Sequence, residues 1–195
     1  MRLGSACLAA AALLVVAGCG GAKKQAAPTP SFRGATVVDP AAAPDFALRD
    51  QAGRLVRMSA QRGRYTLVTF LYTHCPDVCP LLAEHLNAAL GQLGAGTGVL
   101  AVSVDPKGDT AVTVRRFVAL HRLVPRFHYL TGTATQLKPV WTAYHVASDP
   151  QHGTTAIAHS AYVLLVDPQG VERLVYDSNV KASDIVHDID ALKEK

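Results

Sequence analysis

Two cysteines separated by three residues carry the chemistry of this chain, in the run Thr73-His74-Cys75-Pro76-Asp77-Val78-Cys79-Pro80. Sulfurs four residues apart face one side when the segment is helical or a tight turn. A helix opening here sets its N-terminal N–H groups beside them, which lowers thiol pKa and favours the thiolate that metal binding and disulfide exchange both require. Dithiol oxidoreductases usually place two residues between their cysteines, so three is a departure from that pattern. Two soft thiolates select Cu(I), and an added imidazole makes a site that also holds Cu(II). Zinc fits the same residue types with a fourth ligand from Asp77 or water. In thiol-disulfide exchange, Cys75 is the attacking thiolate, because it sits at the exposed end of the preceding strand, and Cys79 is the resolving thiol.

The elements that must position this pair are readable on either side of it. Residues 65–72 are β-branched and aromatic throughout, as expected of a strand covered on both faces. After the cysteines, Leu81, Leu82, His85, Leu86, Ala89, Leu90 and Leu93 recur at helical spacing up to Gly94. A strand follows at 98–104, then a helix to His121 with Asp109 and Thr110 as candidate caps. Residues 127–130 give a short strand and 136–144 a helix. Strands at 161–166 and 171–176 flank the turn Asp167-Pro168-Gln169-Gly170, and a last helix covers 182–193. Ahead of the main unit, the apolar residues around Asp50-Gln51-Ala52-Gly53 predict a hairpin over 45–58. The order is that of an α/β chain, a thioredoxin-like fold with an N-terminal β-hairpin extension. No phosphate loop is present: Gly91 to Gly98 lacks the lysine such a loop needs.

A length of 195 residues fits one domain, and 49% hydrophobic against 17% charged residues excludes global disorder. The net charge of +4 is spread out, without the clustered Lys and Arg that nucleic-acid binding uses. Arg2, the Ala/Leu/Val run from Leu8 to Ala17 and the small residues before Cys19 read as an export signal over 1–18, too short to span a bilayer. Val16-Ala17-Gly18-Cys19 resembles a bacterial lipobox, which makes Cys19 a lipidated N-terminus and assigns Cys7 to the discarded peptide. Residues 19–44 then form the lipidated end and a flexible tether of roughly 25–30 Å reach. The folded domain occupies 45–195. The expected location is the bacterial cell membrane, lipid-anchored, with the domain on the extracytoplasmic side, where an exposed cysteine pair oxidises unless a metal or reductase holds it.

The run Leu67-Val-Thr-Phe-Leu-Tyr-Thr-His-Cys-Pro-Asp-Val-Cys-Pro80 resembles the signature of the Sco (SenC) copper-chaperone family. The likeness extends over about 44–193, through Ser103-Val-Asp-Pro106, Asp109-Thr110, and His159-Ser160 leading into 162–170. It implies a thioredoxin-like fold, membrane attachment, and copper held by both cysteines and one downstream histidine, here Cys75, Cys79 and His159. The family's role is to deliver copper to the binuclear site of cytochrome c oxidase subunit II, or to reduce that subunit's cysteines. The stretch from Tyr144 to His159 is somewhat shorter than in well-known members and carries a second histidine, His152; a position just before a strand favours His159 as ligand.

Other residues have plainer readings. His74 adjoins Cys75, but neighbours in an extended segment point apart, so its role is indirect or at the surface. Asp77 is a turn former, Asp105 a strand-ending turn and Asp109 a helix cap. His85, His121, His128, His145 and His187 show no ligand spacing. Met58 is the one methionine left after cleavage, which excludes a Met-rich copper-scavenging tail.

Overall fold

The computed structural model describes residues 31–146 and 161–194. The export signal, Cys19, His152 and His159 all lie outside the described residues. No described helix is long and apolar enough to cross a membrane.

Strand β4 (Tyr65–Leu71) and strand β5 (Thr97–Ser103) are buried at every position, and they pair in parallel from Tyr65↔Thr97 to Leu71↔Ser103. Their Val, Leu, Thr and Phe content suits a pleat packed on both faces. Strand β6 (Phe127–Leu130) extends the sheet in parallel, while β7 (Tyr162–Val166) pairs antiparallel with β4 and β8 (Glu172–Asp177) with β7. A short β1 (Ala35–Thr36) closes the sheet in the order β1-β8-β7-β4-β5-β6, and β2 (Ala47–Arg49) and β3 (Leu55–Arg57) form the separate hairpin.

Among the described residues, four helices cover the sheet: α1 (Val78–Leu93), α2 (Ala111–Leu120), α3 (Ala134–Ala143) and α4 (Ala182–Lys193). Helix α1 buries Cys79, Leu82, Ala83, Leu86, Ala89 and Leu90, an apolar stripe at helical spacing, and packs beside α4. Glu84 and Asn87 of α1 bond His121 and the backbone of Arg122 and Val124, which fixes α1 against the end of α2. Helix α3 is held by the Trp141 indole N–H donating to the Ser103 carbonyl at 2.9 Å. Tyr144, which ends α3, packs its ring on Phe46 and Phe70.

Composition reads 20–44 as tether, yet from Arg33 onward the backbone is part of the folded unit. Buried Asp188 accepts the N–H groups of Arg33 and Gly34, Val37 N–H donates to the Arg173 carbonyl, and Ala42 bridges Val171. A strap held through its backbone needs no side-chain periodicity, so its sequence gives no strand signal.

Candidate metal and thiol site

Parallel pairing in register sets Leu71 beside Ser103, so the loops that follow β4 and β5 meet at the carboxyl ends of these two strands. The first loop carries the cysteines. Its backbone turns sharply, with Cys75 N–H donating to the Tyr72 carbonyl at 3.3 Å, and α1 begins three residues later at Val78. Cys75 is half-buried and Cys79, the second residue of α1, is fully buried; no disulfide joins them.

The N–H of Cys79 points at the Cys75 sulfur at 3.3 Å. Burial alone raises the Cys75 pKa, but hydrogen bonds from the Cys79 thiol, the N–H groups of Cys79 and Asp77, and the Tyr72 side chain outweigh it and hold the thiol below its ordinary value. Cys79 moves the other way: burial pushes its pKa far up, reinforced by its bond to Cys75 and the charges of Cys75 and Asp109. The pair is thus unequal, with an accessible sulfur biased to thiolate beside a buried one biased to thiol.

The second loop braces the first. Asp109 is not the cap of α2; that position belongs to Thr110, whose hydroxyl accepts the Thr113 N–H. The Asp109 carboxylate instead lies buried beneath the cysteine loop and accepts from the Thr73 N–H at 2.8 Å, the Ser103 hydroxyl at 2.6 Å and the Tyr129 hydroxyl at 2.9 Å. Burial raises its pKa, and these donors from three elements oppose that rise. The reading of Asp109 as a cap fails because a carboxylate ahead of a helix start turns inward when buried donors need an acceptor. The missed signal was topological: consecutive parallel strands bring their following loops together, which makes Ser103 and Asp109 neighbours of the cysteines.

Asp105 does end its strand in a turn, its carboxylate accepting the N–H groups of Lys107 and Gly108. A Cβ on Gly108 would lie 2.0 Å from an Asp105 carboxylate oxygen and 3.1 Å from His74 Nδ1. His74 is exposed, and its ring nitrogen, Asp105 and Asp109 come within 4.8 Å of one another. Both carboxylates are already engaged by donors, and the bond that ties the two loops together is the one from the Thr73 N–H to Asp109. The remaining described histidines have structural partners where bonded: His121 with Glu84, His128 with Asp50 and His187 with Asp188.

The donor set suits a soft, thiophilic cation. Two sulfurs lie in hydrogen-bond contact, that of Cys75 half-buried in the loop and biased toward thiolate, that of Cys79 buried in the first turn of α1.

Comparison with known proteins agrees with this geometry. The SCO1/SenC family model matches residues 35–194. The mitochondrial SCO2 homolog of Bos taurus is 35% identical over 136 residues, a match covering 65% of this chain and 50% of that protein. The chain thus spans about half the length of this curated relative. The copper-bound structure of Bradyrhizobium japonicum ScoI is similar at 28% identity and a TM-score of 0.67, over 77% of this chain and 98% of that one. The apo Sco1 of Thermus thermophilus is similar at 28% identity and a TM-score of 0.70, over 85% and 99%. With the sheet order, the cysteine loop at the carboxyl end of β4 and the match over residues 35–194 in agreement, the chain belongs to the SCO1/SenC family.

Proposed function

We propose that this protein is a membrane-tethered copper metallochaperone, taking copper as cargo and passing it to the binuclear copper site of cytochrome c oxidase subunit II or another copper-receiving protein. The observation that carries this reading is the unequal thiol pair: Cys75, half-buried with a lowered pKa, against fully buried Cys79. Cu(I) rests on Cys75 and Cys79, and Cu(II) on these two with His159. An accessible thiolate offers the sulfur at which a partner's cysteine displaces the protein by ligand exchange, while the buried one keeps hold until transfer. Solved structures of two relatives, from Bradyrhizobium japonicum and Arabidopsis thaliana, are described as having copper bound, which supports the same cargo here. Attachment through lipidated Cys19, on the extracytoplasmic side of a bacterial membrane, completes the reading. The test is competition for Cu(I) against a chromogenic chelator under anaerobic conditions. One equivalent retained by the reduced protein, and lost in both Cys75→Ser and Cys79→Ser, is expected. Retention in both variants refutes the assignment.

The same inequality favours a second reading, a thiol-disulfide reductase acting on the oxidase subunit's cysteines. Cys75 thiolate attacks the partner disulfide, releases one partner thiolate and forms a mixed disulfide; Cys79, after losing its proton, then displaces the second partner thiol and leaves a Cys75–Cys79 disulfide. A mixed disulfide trapped with a Cys79 variant and absent with a Cys75 variant supports it. Dependence on His159 separates the two, because the reductase needs only the thiols.

A further inference from the structure

Beside Cys75 a groove of about 380 Å³ runs between the first turn of α1 and α2, lined among others by His74, Cys75, Pro80, Arg116, Phe117 and Leu120. Its apolar floor is the buried Phe117 ring, propped on Tyr129 at 5.6 Å between centroids. Leu120 at its lip leaves 71% of its surface to solvent, and Val78 and Leu81, on either side of Cys79 in the first turn of α1, are also exposed. Single exposed apolar residues are ordinary, but Leu120 shares the groove with the Cys75 sulfur, and Val78 and Leu81 stand in the helix turn that supplies its Pro80 wall.

The groove's charge is equally one-sided. Between Asp109 and Phe127 the chain carries Arg115, Arg116, Arg122 and Arg126 and no acidic residue. Arg126 is committed to backbone carbonyls of Leu90, Gly94 and Thr97. On the facing helix, the Glu84 carboxylate is hydrogen-bonded to the His121 ring at 2.9 Å rather than paired with an arginine. Arg116 therefore lines the groove exposed and, among the described residues, without an ion-pair partner.

We propose that this groove receives the cysteine-bearing segment of the partner protein, an extended stretch that sets an acidic side chain against Arg116 and an apolar one against Leu120 and Phe117. The proposal rests on the reading of Cys75 as the point of exchange with a partner thiol, and adds the surface and chemistry that select the partner. Charge complementarity and continuity with the Cys75 sulfur argue for this occupant.

The test uses the reduced full chain bearing Cys7→Ser, Cys19→Ser and Cys79→Ser, which leaves Cys75 as its single thiol and stops exchange at the first step. Two short synthetic peptides each carry a leucine and one cysteine activated as a mixed disulfide with thionitrobenzoate; one flanks the cysteine with Asp, the other with Lys. Cys75 thiolate attacks the peptide sulfur, the peptide–thionitrobenzoate bond breaks, a Cys75–peptide disulfide forms, and coloured thionitrobenzoate anion leaves, giving the rate. The ratio of the two rates within one protein cancels any change in Cys75 nucleophilicity.

At low ionic strength the Asp peptide is expected to react about two- to fivefold faster, as one exposed ion pair allows. Arg116→Glu inverts the ratio. Arg64→Glu makes the same charge change ahead of β4, at the end of the strand away from Cys75, and leaves the ratio unchanged. Leu120→Asp slows both peptides. Equal rates in the starting protein, or equal responses to Arg116→Glu and Arg64→Glu, overturn the proposal. Copper binding of the unsubstituted chain separates the failures: copper bound without peptide preference sinks the groove alone, whereas neither copper binding nor thiol exchange sinks the functional reading with it.

Discussion

Replacing Cys75 by Ala should weaken the fold as well as the site, because its sulfur does the work of a helix cap. Asp77 occupies the N-cap position of α1, yet its side chain makes no capping bond, and the first turn holds no acidic residue. The N–H groups of Cys79, at 3.3 Å, and of Asp77 turn to the Cys75 sulfur instead. Losing a capping acceptor costs about 0.5–2 kcal/mol, and sulfur, a weak acceptor, belongs at the lower end while protonated. A thiolate adds its interaction with the helix dipole, about 0.3–1 kcal/mol at an exposed site. The expected loss is about 0.5 kcal/mol with the thiol neutral and about 0.8–1.5 kcal/mol with it charged. The sign with pH follows from the lowered Cys75 pKa against an ordinary thiol at 9.0. A group depressed by folding contributes fully above its unfolded pKa and loses that contribution as pH falls through the folded value. The gap between wild type and Cys75→Ala should therefore widen as pH rises from 6 toward 9.5. Cys79 titrates in the opposite sense, but its rise comes first from burial, which both proteins share, and only the smaller part owed to Cys75 differs between them. Urea unfolding of reduced protein under argon, followed by far-ultraviolet circular dichroism, measures the gap. A gap that is flat or shrinks across this window refutes the cap.

Limited alkylation with iodoacetamide at pH 7, read by mass spectrometry, should label Cys75 long before Cys79, whose burial both shields it and raises its pKa. Equal labelling of the folded protein contradicts the unequal pair. Asp109 has its pKa raised, mainly by burial, so its contribution to stability is full below the ordinary carboxyl value of 3.8 and falls as pH rises through the folded value. Stability of Asp109→Asn relative to wild type should accordingly rise between pH 3.5 and 7 in urea unfolding; a fall would show the carboxylate to be stabilising when charged. Asp188→Ala strands the N–H groups of Arg33 and Gly34 and the buried Tyr176 hydroxyl, and should cost about 2–4 kcal/mol with early exchange of the 33–36 amides. Unaltered amide protection would show that this strap is held by other contacts.

Hydrophobic periodicity made the central strands and helices legible, because Tyr65–Leu71 and the α1 stripe each bury what their spacing says they should. The last helix and the 127–130 strand agree with their predicted bounds. Helix α1 starts at Val78, two residues before Pro80; Asp77 holds the N-cap position, but the Cys75 sulfur and not the Asp77 side chain accepts the Cys79 N–H. The strap at 33–43 escaped notice because backbone bonds and one distant carboxylate hold it, and neither leaves a local pattern. Asp109 was misread for a related reason: its partners Thr73, Ser103 and Tyr129 come from three elements, and only the sheet register brings them together. The two thiols were evident from spacing alone, whereas their inequality emerged from burial and hydrogen bonding.

The measurement that bears most directly on the central claim is an anaerobic Cu(II) titration of the reduced protein, following thiolate-to-copper charge-transfer absorption in wild type and in His159→Ala. One tight equivalent with strong absorption, lost in the variant while Cu(I) binding largely survives, is the result predicted for a site of two thiolates and one imidazole. Oxidation of Cys75 and Cys79 to a disulfide without a stable coloured complex would contradict it and leave the reductase reading in its place.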